Sequence, residues 1–365
     1  MEKVMSRKLI PISTIMTLMS TSVMADVPNV AADIAPIHSL VSKVMDGVGE
    51  PKLVIQSGAS PHGYRLRHSE AKALQDANLI FWMGEELTPW LDGAIDTLAS
   101  NASVTSLLDQ EGVVLHEFRE GALFEAHDHS THDDHDDHDD HDDHDDHDDH
   151  KDHDDHDDHD DHDDHDDHDD HDDHKDHDDH DDHKDHDDHD DHDDHGSHDP
   201  HAWLSPENAK LWLNIIASKL SVSDPENAAT YFMNAAAGQA EIEAMIAEVK
   251  ATLKPVQGGK FVVFHDAYQY FENDFDFYAS GAISLGDSSD PSPARIEKVQ
   301  KRIRDEGIQC VLAEPQFKKG LVATVMEGSD ATASVIDPLG AELETGPKLY
   351  TRLIKNMAKT LRNCL

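Results

Sequence analysis

From His132 to His195 the chain repeats His-Asp-Asp with a period of three, interrupted only where Lys151, Lys175 and Lys184 replace an aspartate. The stretch has no apolar side chain to bury. Nothing in it offsets the entropy lost on ordering, so it is expected to be disordered when metal-free. Whatever folds must be assembled from the sequence on either side. The repeat also holds most of the net charge of −49: between His127 and Asp199 there are 41 Asp against 3 Lys, and the remainder carries only −11. The flanks therefore read as ordinary, mildly acidic globular sequence. They contain no basic patch of useful size, which argues against a nucleic-acid partner.

Of the 31 histidines, 25 lie between His127 and His198. Imidazole and carboxylate are both zinc ligands, and a flexible chain can gather three or four of them around one ion. The surrounding acidic field concentrates cations as well. Several weak, exchangeable sites are expected here, with His132, His135, His138, His195 and His198 among the ligands. The plainer alternative is a solvated spacer produced by repeat expansion.

The first residues have the order of an export signal. Lys3, Arg7 and Lys8 precede the uncharged, largely apolar run Leu9–Val23, and Val23-Met24-Ala25 supplies small residues before a cut. The run is short for a membrane span. Residues 1–25 are thus expected to be removed, leaving Asp26 first, with no cysteine nearby to carry a lipid anchor. The product should be a soluble exported protein. In an oxidising compartment the two cysteines, Cys310 and Cys364, are expected to pair and tie down the last helix.

The flanks alternate strand and helix. Strands are expected at Val27–Ile34, Lys52–Gln56 and Asn78–Met83, with helices at Pro36–Gly47 and Ser69–Ala77 between them. Ser205-Pro206-Glu207 opens a helix, with Ser as cap and Pro at the first helical position. Asp224-Pro225-Glu226 opens another by the same chemistry, running to about Lys254 and long enough to be a rigid strut. Beyond it come strands at Lys260–Phe264, Phe277–Ser284, Gln309–Ala313 and Thr332–Ile336. A helix is expected at Pro293–Glu306, and Gly346-Pro347 opens the last. Such alternation predicts an α/β fold: two parallel-sheet lobes joined by one long helix. The lobes would cover 26–223, with the His/Asp-rich loop at 120–199 inserted, and 255–365, with the linking helix at 224–254.

Six histidines remain outside the repeat. His38, His68 and His116 read as solvated or capping residues. The other three share a setting. His62 follows the second strand, His201 opens the helix after the repeat, and His265 sits just past Phe261-Val262-Val263-Phe264. Ligands of parallel α/β sheets bind outside the carboxyl ends of strands. Asp337 follows a strand too, although Asp before Pro commonly serves a turn. Three imidazoles with at most one carboxylate suit Zn²⁺ better than Mn²⁺, while Cu²⁺ and Ni²⁺ remain compatible. Trp203 and Phe264 are expected to wall the site.

At this point the motifs resemble the zinc-binding proteins of bacterial ABC uptake systems, the ZnuA type. The resemblance rests on Gly58-Ala59-Ser60-Pro61-His62 with Tyr64 and Leu66, and on Asp199-Pro200-His201 through Trp203-Leu204-Ser205-Pro206. Phe264-His265-Asp266-Ala267-Tyr268, Ala313-Glu314-Pro315-Gln316 and Asp337-Pro338-Leu339-Gly340 complete it. It spans essentially the whole chain after the signal. It implies a periplasmic protein, two α/β lobes around a zinc crevice, and His62, His201 and His265 as ligands. It also implies a cysteine pair at Cys310 and Cys364, and a His-rich acidic loop ahead of His201. Some members place a Glu where this chain has Pro61, others use the carboxylate at Asp337, and others leave that position to water.

The implied function is zinc capture and delivery to an ABC-type membrane permease, by a monomer without catalysis. Two other classes compete. A zinc hydrolase could use three histidines and an open position, yet no His-Glu-x-x-His motif is present. A periplasmic zinc buffer without a permease would differ little in sequence.

Overall fold

The computed structural model describes residues 27–119, 124, 198–284, 291–316 and 319–365. The signal segment and nearly all of the His/Asp repeat lie outside the described residues. So do the expectations placed on His132, His135, His138 and His195.

The first lobe contains β1 (Val30–Ala32), α1 (Ala35–Val44), β2 (Lys52–Leu53), α2 (His68–Gln75), β3 (Leu79–Trp82), α3 (Pro89–Leu98) and β4 (Ser103–Ser106). After the insert come α4 (Pro206–Ser223) and α5 (Ala228–Leu253). The second lobe contains β5 (Phe261–His265), α6 (Gln269–Phe275), β6 (Ala282–Ser284), α7 (Pro293–Glu306), β7 (Cys310–Ala313), α8 (Lys319–Met326), β8 (Thr332–Val335) and the final α9 (Leu349–Cys364). Each lobe is a four-stranded, wholly parallel sheet, ordered β2-β1-β3-β4 and β6-β5-β7-β8. The same order twice puts a reversal of strand sequence, and hence a crevice, at the carboxyl ends of β1/β3 and of β5/β7.

Local chemistry explains the sharpest boundaries. Ser205 Oγ accepts from the Asn208 N–H and Pro206 fills the first helical position, so α4 starts where its sequence requires. Ser292 and Pro293 do the same for α7, and Gly307 ends it with φ +65°, a left-handed value that glycine adopts without a Cβ penalty. β3 is buried along its whole length, as a central strand covered on both faces must be.

Several expectations need correction. β1 is only three residues long, and the expected strand at Phe277–Ser284 forms only at Ala282–Ser284, because the chain first turns out of α6. The long helix is not continuous from Pro225. A single 3-10 turn, Pro225–Asn227, precedes it, and the Asp224 carboxylate accepts from the Asn227 amide and the Tyr231 hydroxyl instead of capping the backbone. Four elements not expected, α3, β4, α6 and α8, complete the alternation.

The linking helix α5 is packed along its length. Its buried residues are Tyr231, Ala235, Gly238, Ile242, Met245, Val249 and Leu253, spaced by three or four so that one stripe faces inward. Twenty-six residues span about 39 Å. The stripe lies against α4, α1 and α9, and one apolar core runs without a break through the first lobe, α5, α9 and the inner face of the second sheet. A Cβ on Gly238 would stand 2.9 Å from Leu213 Cδ1 and 3.1 Å from Lys43 Cγ, which explains the one glycine of this helix. Gly238→Val is therefore expected to cost about 1–3 kcal/mol by overpacking, read as a lower denaturation midpoint. An unchanged midpoint would show that the helices have room to part.

A smaller core closes the outer face of the second sheet, with Val262, Phe264, Ile283, Val299, Ile303 and Val311 among its members. Cys310 and Cys364 are joined, linking the start of β7 to the end of α9. No described helix is long and apolar enough to cross a membrane.

Candidate metal centre

His62 stands on the loop between β2 and α2. That loop is held at three points: Trp90 Nε1 donates to the Pro61 carbonyl at 2.7 Å, Tyr64 donates to Glu70 Oε1 at 2.8 Å, and the Arg67 N–H donates to Glu70 Oε2 at 2.7 Å. Gly58 opens it at φ +84°, a conformation few other residues adopt. His201 stands just before a one-turn 3-10 segment, Ala202–Leu204, and not on α4 itself. His265 is the last residue of β5, not the one after it. Strand alternation then decides the neighbours: Phe261, Val263 and His265 share the inner face, while Val262 and Phe264 face the outer helices. Phe264 is therefore not a wall of the site. Trp203 is, with its ring centroid 5.2 Å from that of His201 and its Nε1 donating to the Pro338 carbonyl.

The fold brings the three histidines together. The ring centroids of His62 and His201 are 5.4 Å apart, and those of His201 and His265 are 5.3 Å apart. A tetrahedral Zn²⁺ with Zn–N near 2.1 Å would place neighbouring imidazole centroids about 5.2 Å apart, close to both of these spacings. Among the described residues, no group of three or more His, Cys, Asp or Glu stands close enough together to hold a metal ion.

Two of the rings carry a carboxylate partner. Asp199 Oδ1 is 2.6 Å from His201 Nδ1 and also accepts the His201 N–H at 3.0 Å. Glu314 Oε1 is 2.5 Å from His265 Nδ1, and Glu314 Oε2 accepts from Gln316 Nε2 at 2.7 Å. A carboxylate at Nδ1 keeps the proton there and makes Nε2 the lone-pair nitrogen, the arrangement a metal-binding histidine needs. Burial pushes the Asp199 carboxyl up to about 6, against hydrogen bonds and positive neighbours that favour its charge. Neither partner was assigned a role from sequence. Asp199 lies within a recognisable motif, but Glu314 reaches His265 across 49 residues, and only the β5–β7 register brings them together.

Asp337 is placed differently. Its Oδ1 accepts the N–H groups of Leu339 at 3.1 Å and Gly340 at 2.8 Å, so it shapes the turn after β8. His198 pairs with Glu117 in an isolated antiparallel bridge at the root of the insert. His38 is neither solvated nor a cap: it is buried in α1, with Nε2 3.1 Å from the Pro51 carbonyl. His116 packs on the Tyr270 ring, and His68 begins α2. The first lobe has its own acid at a strand-order reversal, Asp33. Both its oxygens accept backbone N–H groups, of Ile34 and Met83, which makes it a structural brace.

Known proteins share this architecture. The sequence profile of the periplasmic zinc-uptake complex component A, ZnuA, matches residues 30–364. The chain belongs to that family. The high-affinity zinc uptake system protein ZnuA of Brucella abortus is 46% identical over 336 residues, covering 92% of this chain and 91% of the relative. That of Paracoccus denitrificans is 41% identical over 342 residues, covering 93% of each. A crystal structure of ZnuA superposes with a TM-score of 0.64 at 19% identity, covering 93% of this chain and 99% of that one. ZnuA proteins are components of a zinc-uptake complex.

Glu314→Gln keeps the shape of the His265 partner and removes its charge. Loss of such a partner typically costs 10–100-fold in metal affinity, and about that factor is expected in a competitive zinc titration. Unchanged affinity would mean that His265 is oriented by packing alone.

Proposed function

We propose that this protein captures Zn²⁺ in the periplasm, between its two lobes, and hands it to an ABC-type import permease. His62, His201 and His265 supply imidazole nitrogens, and Asp337, with Oδ1 committed to its turn, completes the shell through Oδ2. The observation that carries this reading is the pair of ring spacings, 5.4 and 5.3 Å, among three histidines drawn from different segments of the fold. Two of these rings are set by carboxylates. Family membership supplies the transport context. Closing the shell takes rotation of side chains, because a core continuous through α5 and α9 resists wide lobe rotation. Asp337→Asn is expected to weaken zinc binding, whereas unchanged affinity would give the fourth position to water.

The cellular test is a strain lacking the protein, grown under zinc starvation. Poor growth and low zinc accumulation are expected, restored by the wild-type chain and not by His265→Ala. Normal growth and uptake in the deletion strain would favour a buffer without a permease. Within this reading the insert is an auxiliary store of weakly held zinc. A variant lacking Asp133–Asp194 is expected to bind fewer ions in total while keeping the tight one.

A further inference from the structure

The chain enters and leaves the insert through two segments joined by an isolated antiparallel bridge. The Asp199 N–H donates to the His116 carbonyl at 2.8 Å, and Glu117 pairs antiparallel with His198. Tyr270 of α6 fixes both: its hydroxyl accepts the His116 N–H at 3.1 Å and donates to the Asp199 carbonyl at 2.7 Å. Arg119 lies two residues beyond the bridge and reaches into the second lobe. Its Nε lies 3.0 Å from both oxygens of Asp266, Nη2 adds a further bond to Asp266, and Nη1 donates to Glu272 Oε2 at 2.6 Å. The Phe124 ring covers the guanidinium, 3.6 Å from Cζ to the ring centroid. These are interior pairs: the side chains of Arg119, Asp266 and Glu272 are 16%, 7% and 1% exposed.

Asp266 directly follows His265, and the segment bridged to that of Arg119 runs through Asp199 to His201. The guanidinium thus ties the segment paired with that of His201 to the lobe that bears His265. A rigid, two-pronged donor holds both carboxylates at once, as a lysine cannot.

We propose that Arg119 is a positioning residue for the zinc site, a latch between the lobes that slows zinc release. The proposal rests on the zinc reading of His62, His201 and His265. The alternative role for this cation, setting the local field, has the opposite sign. A positive charge near a Zn²⁺ site repels the ion, so by field alone its removal would tighten binding. As a latch, its removal lets His265 drift from His201, and zinc leaves faster.

The test uses the full mature protein loaded with Zn²⁺, with release of the tightest ion into excess chelator followed by stopped flow. Arg119→Gln is expected to speed release at least tenfold. Arg119→Lys, which keeps the charge but not the fork, should fall between it and wild type. Asp266→Asn should also speed release, and combining it with Arg119→Gln should add less than the product of the two effects. If Arg119→Gln fails to fold when metal-free, Arg119→Lys and Asp266→Asn carry the test. Release from Arg119→Gln that is no faster than from wild type, or slower, would overturn the latch. His265→Ala in the same assay keeps the two readings apart: a slow-releasing ion that survives it refutes the site itself, whatever Arg119 does.

Discussion

Replacing His265 by alanine is expected to weaken the tightest zinc binding by about a hundredfold or more while leaving the weaker binding intact. Zinc held by a full protein shell is bound by ~10–16 kcal/mol. Losing one of four ligands removes roughly a quarter of that, about 2.5–4 kcal/mol, and each 1.4 kcal/mol is tenfold. His265 is the ligand to remove because it is buried at the end of β5 and oriented by Glu314. A titration against a competing chelator should show the tight phase vanish and the shallow phase of the insert remain. The metal-free variant should melt close to metal-free wild type, while the rise in melting temperature caused by zinc should largely disappear, since only the native state binds the ion. Retention of the tight phase would remove His265 from the site.

Loss of the disulfide is expected to act on stability and spare the site. Cys310 and Cys364 are 54 residues apart, and constraining a loop of that length in the unfolded chain is worth about 4 kcal/mol. Changing both to serine should lower stability by up to that amount, measured by denaturant unfolding of the metal-free protein. Zinc affinity should change little. The bridge sits at the first residue of β7, and Glu314 follows the last, so the strand separates the staple from the histidines. Equal midpoints for the two proteins would show that packing of α9 on α5 and α1 already restrains the C-terminus.

The α/β alternation was legible because each long element carries its own signal. Ser205-Pro206 and Ser292-Pro293 mark helix starts to the residue, since the cap and the fixed φ of proline act locally. That His62, His201 and His265 come near one another was legible for a topological reason: strand ends in parallel sheets face the crevice. What local signals could not give was anything set through space. The partnership of Glu314 with His265 depends on strand register, and the grip of Arg119 on Asp266 and Glu272 depends on the packing of the lobes. Phe264 was misplaced because its neighbours, not its own character, decide which face of β5 it takes. The short α3, α6 and α8 escaped notice because seven to ten residues carry too few turns for a clear period. Thr88-Pro89 before α3 was a usable signal. Asp337 carries both of its sequence readings at once: Oδ1 holds the turn after β8, which leaves Oδ2 for the proposed ligand role.

If one zinc ion is held by three histidines between the lobes, anomalous diffraction at the zinc edge from crystals of the zinc-loaded protein will show one strong peak about 2.1 Å from the Nε2 atoms of His62, His201 and His265, the zinc–imidazole bond length. A map with no peak among these rings, and zinc only on histidines of the repeat, would contradict it.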